Sequence, residues 1–219
     1  AAAEVLGLNT DYLYRSQDLP TDRYMAIEGS NGLIAAIADA HSLEAAGDKI
    51  LRPLADGRLG RAERPFRGLI ALDGNLTVGL LAQIATSPLF ESADLRIAPA
   101  SPGKAERLLP LLGHPGATLY VNVEEAELIL GRDFSDAGAA ATALVERGAN
   151  RAVVTHGPKA AAKADNDGCV LALPPAVLAS RVTGAGDTFL AAHIAAELRG
   201  AGALQALQAA SNAAAAYVS

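Results

Sequence analysis

The chain has 219 residues, of which 51% are apolar and 19% charged, and it carries a net charge of −6 at neutral pH. That length and balance suit one α/β domain with a sizeable buried core and exclude a disordered chain. The acidic balance, the lack of Trp and an aromatic content of 4% argue against a nucleic-acid-binding surface and against attraction to anionic membranes.

Residues 1–8 have the pattern of the end of a helix, and Asn9-Thr10-Asp11 that of a turn. No basic leader opens the chain, and no apolar run reaches the ~18 residues of a membrane span. The single cysteine, Cys169, can form no internal disulfide. It fits a reducing cytoplasm and is expected as a small core residue.

Residues 23–28 and 33–38 are short β-type runs around Gly29-Ser30-Asn31-Gly32, a strong hairpin signal. The 20–40 segment is therefore a hairpin ahead of the main pattern: a lid, a dimer interface or a plain edge. Residues 42–54 read as helix or extended chain, and 55–67, rich in Arg, Asp and Glu, as a solvated stretch. A buried strand follows at 68–72, closed by Asp73-Gly74-Asn75. Polar groups past the carboxyl end of a parallel strand lie where open α/β sheets bind ligands, although an Asx turn alone also explains them.

A helix is predicted at 76–86 and a strand at 94–98. The loop Pro99-Ala100-Ser101-Pro102 is stiffened by its prolines, and a helix at 103–112 carries Lys104 in its first turn. The strand 118–121 then runs into Asn122-Val123-Glu124-Glu125 at a helix start. A helix at 137–147 is closed by Gly148, and the strand 151–155 is followed by His156, expected as a surface loop residue. Residues 161–172 form a hairpin about Asp165-Asn166-Asp167-Gly168, and helices follow at 189–199 and 203–218. The alternation from residue 68 onward predicts a mostly parallel sheet with helices on both faces.

The stretch with most chemistry is Arg181-Val182-Thr183-Gly184-Ala185-Gly186-Asp187-Thr188-Phe189. A Gly-Ala-Gly turn opening a helix leaves backbone N–H groups unpaired at the positive end of the helix dipole, which makes an anion site. Asp187, in the first turn, repels phosphate but can take the proton of a hydroxyl that attacks it. A helix-start glycine turn with a capping aspartate is the plainer alternative.

Val-Thr-Gly-Ala-Gly-Asp-Thr-Phe resembles the C-terminal signature of the ribokinase-like, or PfkB, carbohydrate kinases. Asn122 with Glu125, Thr155 with Gly157, and Gly184 to Asp187 follow in the family's order. The resemblance implies a three-layer α/β sandwich with a small β lid, over 1–219. It implies an ATP-dependent kinase in which Asp187 is the catalytic base and Gly184, Ala185 and Gly186 form the anion hole. Asn122 and Glu125 order Mg²⁺, and Thr155, Gly157 and Asn212 hold the nucleotide. Within the family the chain is most like pseudouridine kinases, which places a nucleoside acceptor against Thr21, Tyr24 and Asp187. Kinases of ribose or adenosine, and a non-catalytic nucleotide-binding protein on the same scaffold, are the alternatives. The lid hairpin at 20–40 implies a homodimer.

Three departures stand out. Arg181 lies where the family has Asp or Asn, which leaves open the monovalent cation that the acidic form helps to bind. Ala160 stands where the last glycine of the Thr-x-Gly-x-x-Gly run is usual. No Gly-Gly pair and no first α/β half precede residue 20, so the sequence reads as an N-terminally incomplete kinase domain.

Overall fold

The computed structural model describes residues 2–29 and 32–219. A six-stranded sheet is built from β3 (Leu69–Asp73), β4 (Asp94–Ala98), β5 (Ala117–Asn122), β6 (Arg151–Thr155), β7 (Ala161–Asp165) and β8 (Gly168–Ala172). Spatial order follows chain order. β3 to β6 are parallel, and the β7–β8 hairpin adds two antiparallel strands at one edge.

Helices cover both faces, as the alternation predicts. Leu95, Ile97, Leu119, Val121, Ala152 and Val154 point into a core shared with α4 (Val78–Thr86), α5 (Val123–Leu130) and α6 (Ala137–Glu146). Their neighbours Tyr120 and Val153 point the other way, toward α7 (Ala185–Leu198) and α8 (Ala203–Val218). This is the period-two logic of strands buried on both sides. Each helix on the first face starts at a side-chain cap. Thr77 accepts from the Leu80 amide and Asp136 from the Ala139 amide, which satisfies an otherwise orphaned donor.

The remaining elements are short. α1 (Ala2–Val5) precedes the hairpin of β1 (Arg23–Gly29) and β2 (Gly32–Asp39). The turn residues Ser30 and Asn31 lie outside the described residues. α2 (His41–Ala46), a 3₁₀ turn (Gly47–Leu51) and α3 (Arg52–Ala55) then lead toward the sheet. Asp22 caps α2 from a distance, accepting from the amides of Ser42 and Leu43.

Four details differ from the sequence reading. The 103–112 segment is a 3₁₀ helix, Pro102–Leu111, with Pro110 inside it; a proline there removes a donor and crowds the preceding turn. α7 begins at Ala185, four residues earlier than predicted, because Gly184 takes the left-handed conformation (φ 89°) that starts it. Cys169 is exposed, since β8 is the sheet edge and covers little. His156 is half-buried, with its Nδ1 shielded from solvent.

Candidate active site

The carboxyl ends of β3 to β6 and the start of α7 surround one cleft of about 630 Å³. Asp73 and Asn75 come from the end of β3, Asn122 and Glu125 from the β5–α5 junction, and Thr155 from the end of β6. Gly184, Gly186 and Asp187 face them from α7, with Tyr24 from the hairpin and Tyr217 from α8. This is the crevice at the strand ends where open α/β sheets bind ligands.

The glycine turn opens a helix, as the sequence reading expects, with one change in its amides. The Ala185 amide donates to the Val182 carbonyl at 3.1 Å, so it is spent within the turn. The first intrahelical bond runs from the Thr188 amide to the Gly184 carbonyl at 2.9 Å. The amides of Gly186 and Asp187 precede it, at the positive end of a fourteen-residue helix. Gly184 admits no side chain: a Cβ there would lie 2.6 Å from the Tyr217 hydroxyl.

Asn122 and Glu125 engage each other in a reciprocal capping box. Asn122 Oδ1 accepts from the Glu125 amide at 2.8 Å, and Glu125 Oε2 accepts from the Asn122 amide at 2.9 Å. Burial pushes the Glu125 carboxyl above its usual range; the Asn122 amide opposes this and Glu124 adds to it. Asp73 and Asn75 also form a turn, with the Asn75 amide N–H on Asp73 Oδ1 at 2.8 Å. The Asn75 side chain bridges outward, donating to Asp73 Oδ2 and accepting from the Lys104 ammonium. Lys104 thereby brings a positive charge to the β3 end of the cleft.

Four predicted site residues do not line the cleft: Ala185, whose amide is spent within the turn, and three that stand away from it. Thr21 is exposed beside the hairpin, Gly157 sits in the turn after β6 (φ 54°), and Asn212 is exposed on α8, where its Oδ1 accepts from Gln208 at 3.0 Å.

The pfkB family carbohydrate kinase profile matches residues 1–219. The chain belongs to this family. Among solved structures it is similar to a carbohydrate kinase from Agrobacterium tumefaciens, at 25% identity and a TM-score of 0.76, covering 98% of this chain and 67% of that one. It is also similar in fold to ribokinase from Thermotoga maritima (20% identity, TM-score 0.74, 99% of this chain and 68% of that one). Phosphofructokinase-2 from Escherichia coli, solved in complex with potassium, shares 19% identity with a TM-score of 0.65 over 80% of this chain and 56% of that one. The chain thus spans about two thirds of the first two and little more than half of the third. No curated protein matches it significantly. Among the described residues, no helix is long and apolar enough to cross a membrane.

In this pfkB chain, the interface between α7 and the sheet holds a polar network that the sequence reading missed. Arg96 on β4 is buried, paired with Asp94 at 2.7 Å and with Glu197 of α7. It also donates to the Tyr120 hydroxyl at 2.9 Å, and that hydroxyl lies 2.9 Å from Nδ1 of His193. Arg151 approaches the same two carboxylates at 3.4 and 3.7 Å. Burial opposes the charge on Arg96, but Asp94, Tyr120 and Glu197 outweigh it and hold the guanidinium pKa above its usual value. Burial drives the Tyr120 phenol up to about 12 and pulls His193 down to about 4. The signal was present in outline: an arginine and a tyrosine inside apolar strands, and a His-x-x-x-Glu pair on an alanine-rich helix.

Proposed function

We propose that the protein transfers the γ-phosphoryl group of ATP to the 5′-hydroxyl of a ribosyl nucleoside, with pseudouridine as the acceptor. The observation that carries the phosphoryl-transfer step is the convergence of Asp187 and the Gly186–Asp187 amides on the cleft that Asn122, Glu125 and Thr155 also line. Asp187 accepts the acceptor hydroxyl proton. The helix-start amides stabilise charge gathering on the transferring phosphoryl group, which needs positioning more than covalent help. Tyr24 and the Asp73–Asn75–Lys104 cluster hold the acceptor from the opposite side. The residues Thr21 to Tyr24, Lys104 to Leu108 and Val182 to Gly184 support pseudouridine; ribose and adenosine are the competing acceptors, and a non-catalytic nucleotide-binding scaffold the competing role.

The donor set fits Mg²⁺. Glu125 is a buried carboxylate on the cleft with one oxygen committed to the capping box. Magnesium keeps most of its waters and takes one or two carboxylates together with phosphates, so no dedicated cage is required. Among the described residues none exists. When bound, the metal would neutralise phosphate charge, with Asn122 and Glu125 as its protein side. Glu125→Gln keeps an acceptor for the capping box, so the fold survives while the charge is lost. The Mg²⁺ concentration at half-maximal turnover should rise about 10- to 100-fold; an unchanged Mg²⁺ titration sinks this role.

The monovalent cation does not fit in the same way. Phosphofructokinase-2 from Escherichia coli was solved in complex with potassium. Arg181 stands where the family pattern has Asp or Asn, and a guanidinium cannot ligate a cation.

Exposed Tyr24, Met25, Ile27, Ile34 and Ile37 on the hairpin support a lid at 20–40 that pairs with a second copy, and the lone cysteine supports a cytoplasmic location. The deciding experiment is ADP release with ATP and Mg²⁺ over pseudouridine, uridine, adenosine and ribose. Turnover on pseudouridine alone supports the full reading. Turnover on another acceptor keeps the chemistry and removes the substrate. ATP binding with no turnover on any acceptor supports the non-catalytic scaffold.

A further inference from the structure

Two aromatic rings of the cleft wall rest on one buried histidine. Tyr120 of β5 and Phe189 of α7 both line the cleft, and Phe189 follows Asp187 by two residues. His193, which is fully buried, stacks on the Phe189 ring with centres 6.4 Å apart and planes 9° apart. It meets the Tyr120 ring edge-on at 5.5 Å and 75°. Its Nδ1 lies 2.9 Å from the Tyr120 hydroxyl. One rigid side chain thus joins the helix that carries Asp187 to the strand that ends at Asn122.

The neighbours decide where the protons lie. Nη1 of Arg96 donates to the Tyr120 oxygen at 2.9 Å, and a guanidinium can only donate. The phenol proton then points elsewhere, and Nδ1 of His193 is the acceptor within reach. Nδ1 therefore carries no hydrogen, and the neutral ring holds its proton on Nε2. The opposite tautomer would aim two donors at the phenol oxygen and leave the phenol proton without an acceptor. Glu197 Oε2, 3.8 Å from Nδ1, is too far to accept from it. What remains is a buried Nε2–H with no partner among the described residues, a kind of orphan that calls for an explanation. The charged groups around the ring are Glu197 on its own helix, Arg96 on β4, Arg151 on β6 and Lys163 on β7. Burial, with the three cations, outweighs Glu197 and pulls the imidazole down to about 4.

We propose that His193 is a positioning residue for the helix that carries Asp187: as a neutral imidazole protonated on Nε2, it pins the Tyr120 hydroxyl, and the pinned ring sets where the first turns of α7 dock on the sheet. His193 does not line the cleft; it acts through Tyr120. The orphaned Nε2–H is the consequence of giving Nδ1 to the phenol. The effect on turnover rests on the kinase reading, but the tautomer is tested without it.

The first arm is nitrogen-15 NMR of the four histidine rings, with His193 assigned by its loss in His193→Phe. His193 should show the Nε2–H form from about pH 8 down to about pH 5, where an ordinary histidine has become an imidazolium. Tyr120→Phe should release Nδ1 and bring in the other tautomer. The second arm sets stability against turnover, read as the thermal midpoint and as ADP release at a temperature below every midpoint. His193→Phe keeps a ring and loses the acceptor. His193→Asn loses the ring but places Oδ1 where Nδ1 stood. The Phe variant should melt above the Asn variant, which leaves a cavity. It should nevertheless release ADP about 10- to 100-fold more slowly than wild type, the scale of a small misplacement of a catalytic group. The Asn variant should stay near wild type in turnover, and both should bind ATP normally. A purely structural histidine would give turnover that follows the midpoints. That order, wild-type turnover in His193→Phe, or an Nδ1–H or imidazolium form of His193 at neutral pH overturns the proposal. If wild type releases no ADP with any acceptor, the kinase reading falls, and the tautomer alone upholds or overturns the pin on Tyr120.

Discussion

Asp187→Asn should lower turnover by about 10²- to 10⁴-fold, the range removed with a general base, while ATP binding stays near wild type. The carboxylate stands in the first turn of α7, on the cleft and beside the amides of Gly186 and its own backbone. It has no side-chain capping role there, so the isosteric amide disturbs little. Loss of a negative charge at a helix N-terminus costs about 0.3–1 kcal/mol, too little to unfold the protein. Stability and catalysis therefore separate in this variant. Asn accepts no proton at neutral pH, and the attacking hydroxyl must then lose its proton to water. Single-turnover ADP formation with whichever acceptor the wild type turns over, alongside an ATP-binding isotherm, measures both arms. Near-normal turnover would remove Asp187 from the chemistry; loss of ATP binding together with turnover would make it a structural residue of the turn.

The fold was largely legible because its signals are local. Apolar strands that close on polar residues and alanine-rich helices with caps place β3 to β8 and α4 to α8 within a few residues. The glycine turn at the start of a helix was legible for the same reason, since Gly-Ala-Gly ahead of an apolar run marks a helix opening. The start of α7 was misplaced because helix propensity says nothing of a left-handed Gly184 that begins the helix inside the glycine run. The 3₁₀ segment was missed because Pro110 is compatible with a helix start but not its interior. Cys169 shows the other kind of failure: a small apolar residue in a strand is expected inside, and only the sheet order makes β8 an edge. Asn122 and Glu125 were found as a pair, yet that each caps the other follows from the backbone at the β5–α5 junction. Thr21, Gly157 and Asn212 were assigned by resemblance, and in this chain they stand outside the cleft; Ala185, assigned in the same way, sits in the glycine turn without lining the cleft.

The polar network under α7 could not be read from local pattern, because its members come from four separate elements, and it carries the second large effect. Arg96→Met should destabilise the protein by about 3 kcal/mol, at the low end of the 3–5 expected when one partner of a buried ion pair is removed. The low end is expected because Arg151 remains within 3.4 Å of Asp94 and 3.7 Å of Glu197 and takes up part of the uncompensated charge. Methionine replaces the aliphatic stem, so most of the loss is electrostatic and not a cavity. For a chain of this size the thermal midpoint should fall by about 6–12 °C. The double variant Arg96→Met with Glu197→Gln should lose less than the sum of the two single changes, because they share one interaction. Function should follow only in part. Tyr120 loses the donor on its hydroxyl and keeps His193, so the wall of the cleft persists while the lower half of α7 loosens from β4. Urea unfolding of the three variants supplies the comparison. Additive losses would mean that Arg96 and Glu197 are held by different partners. A loss below about 1 kcal/mol for Arg96→Met would mean that burial of the guanidinium costs nearly as much as its pairs return.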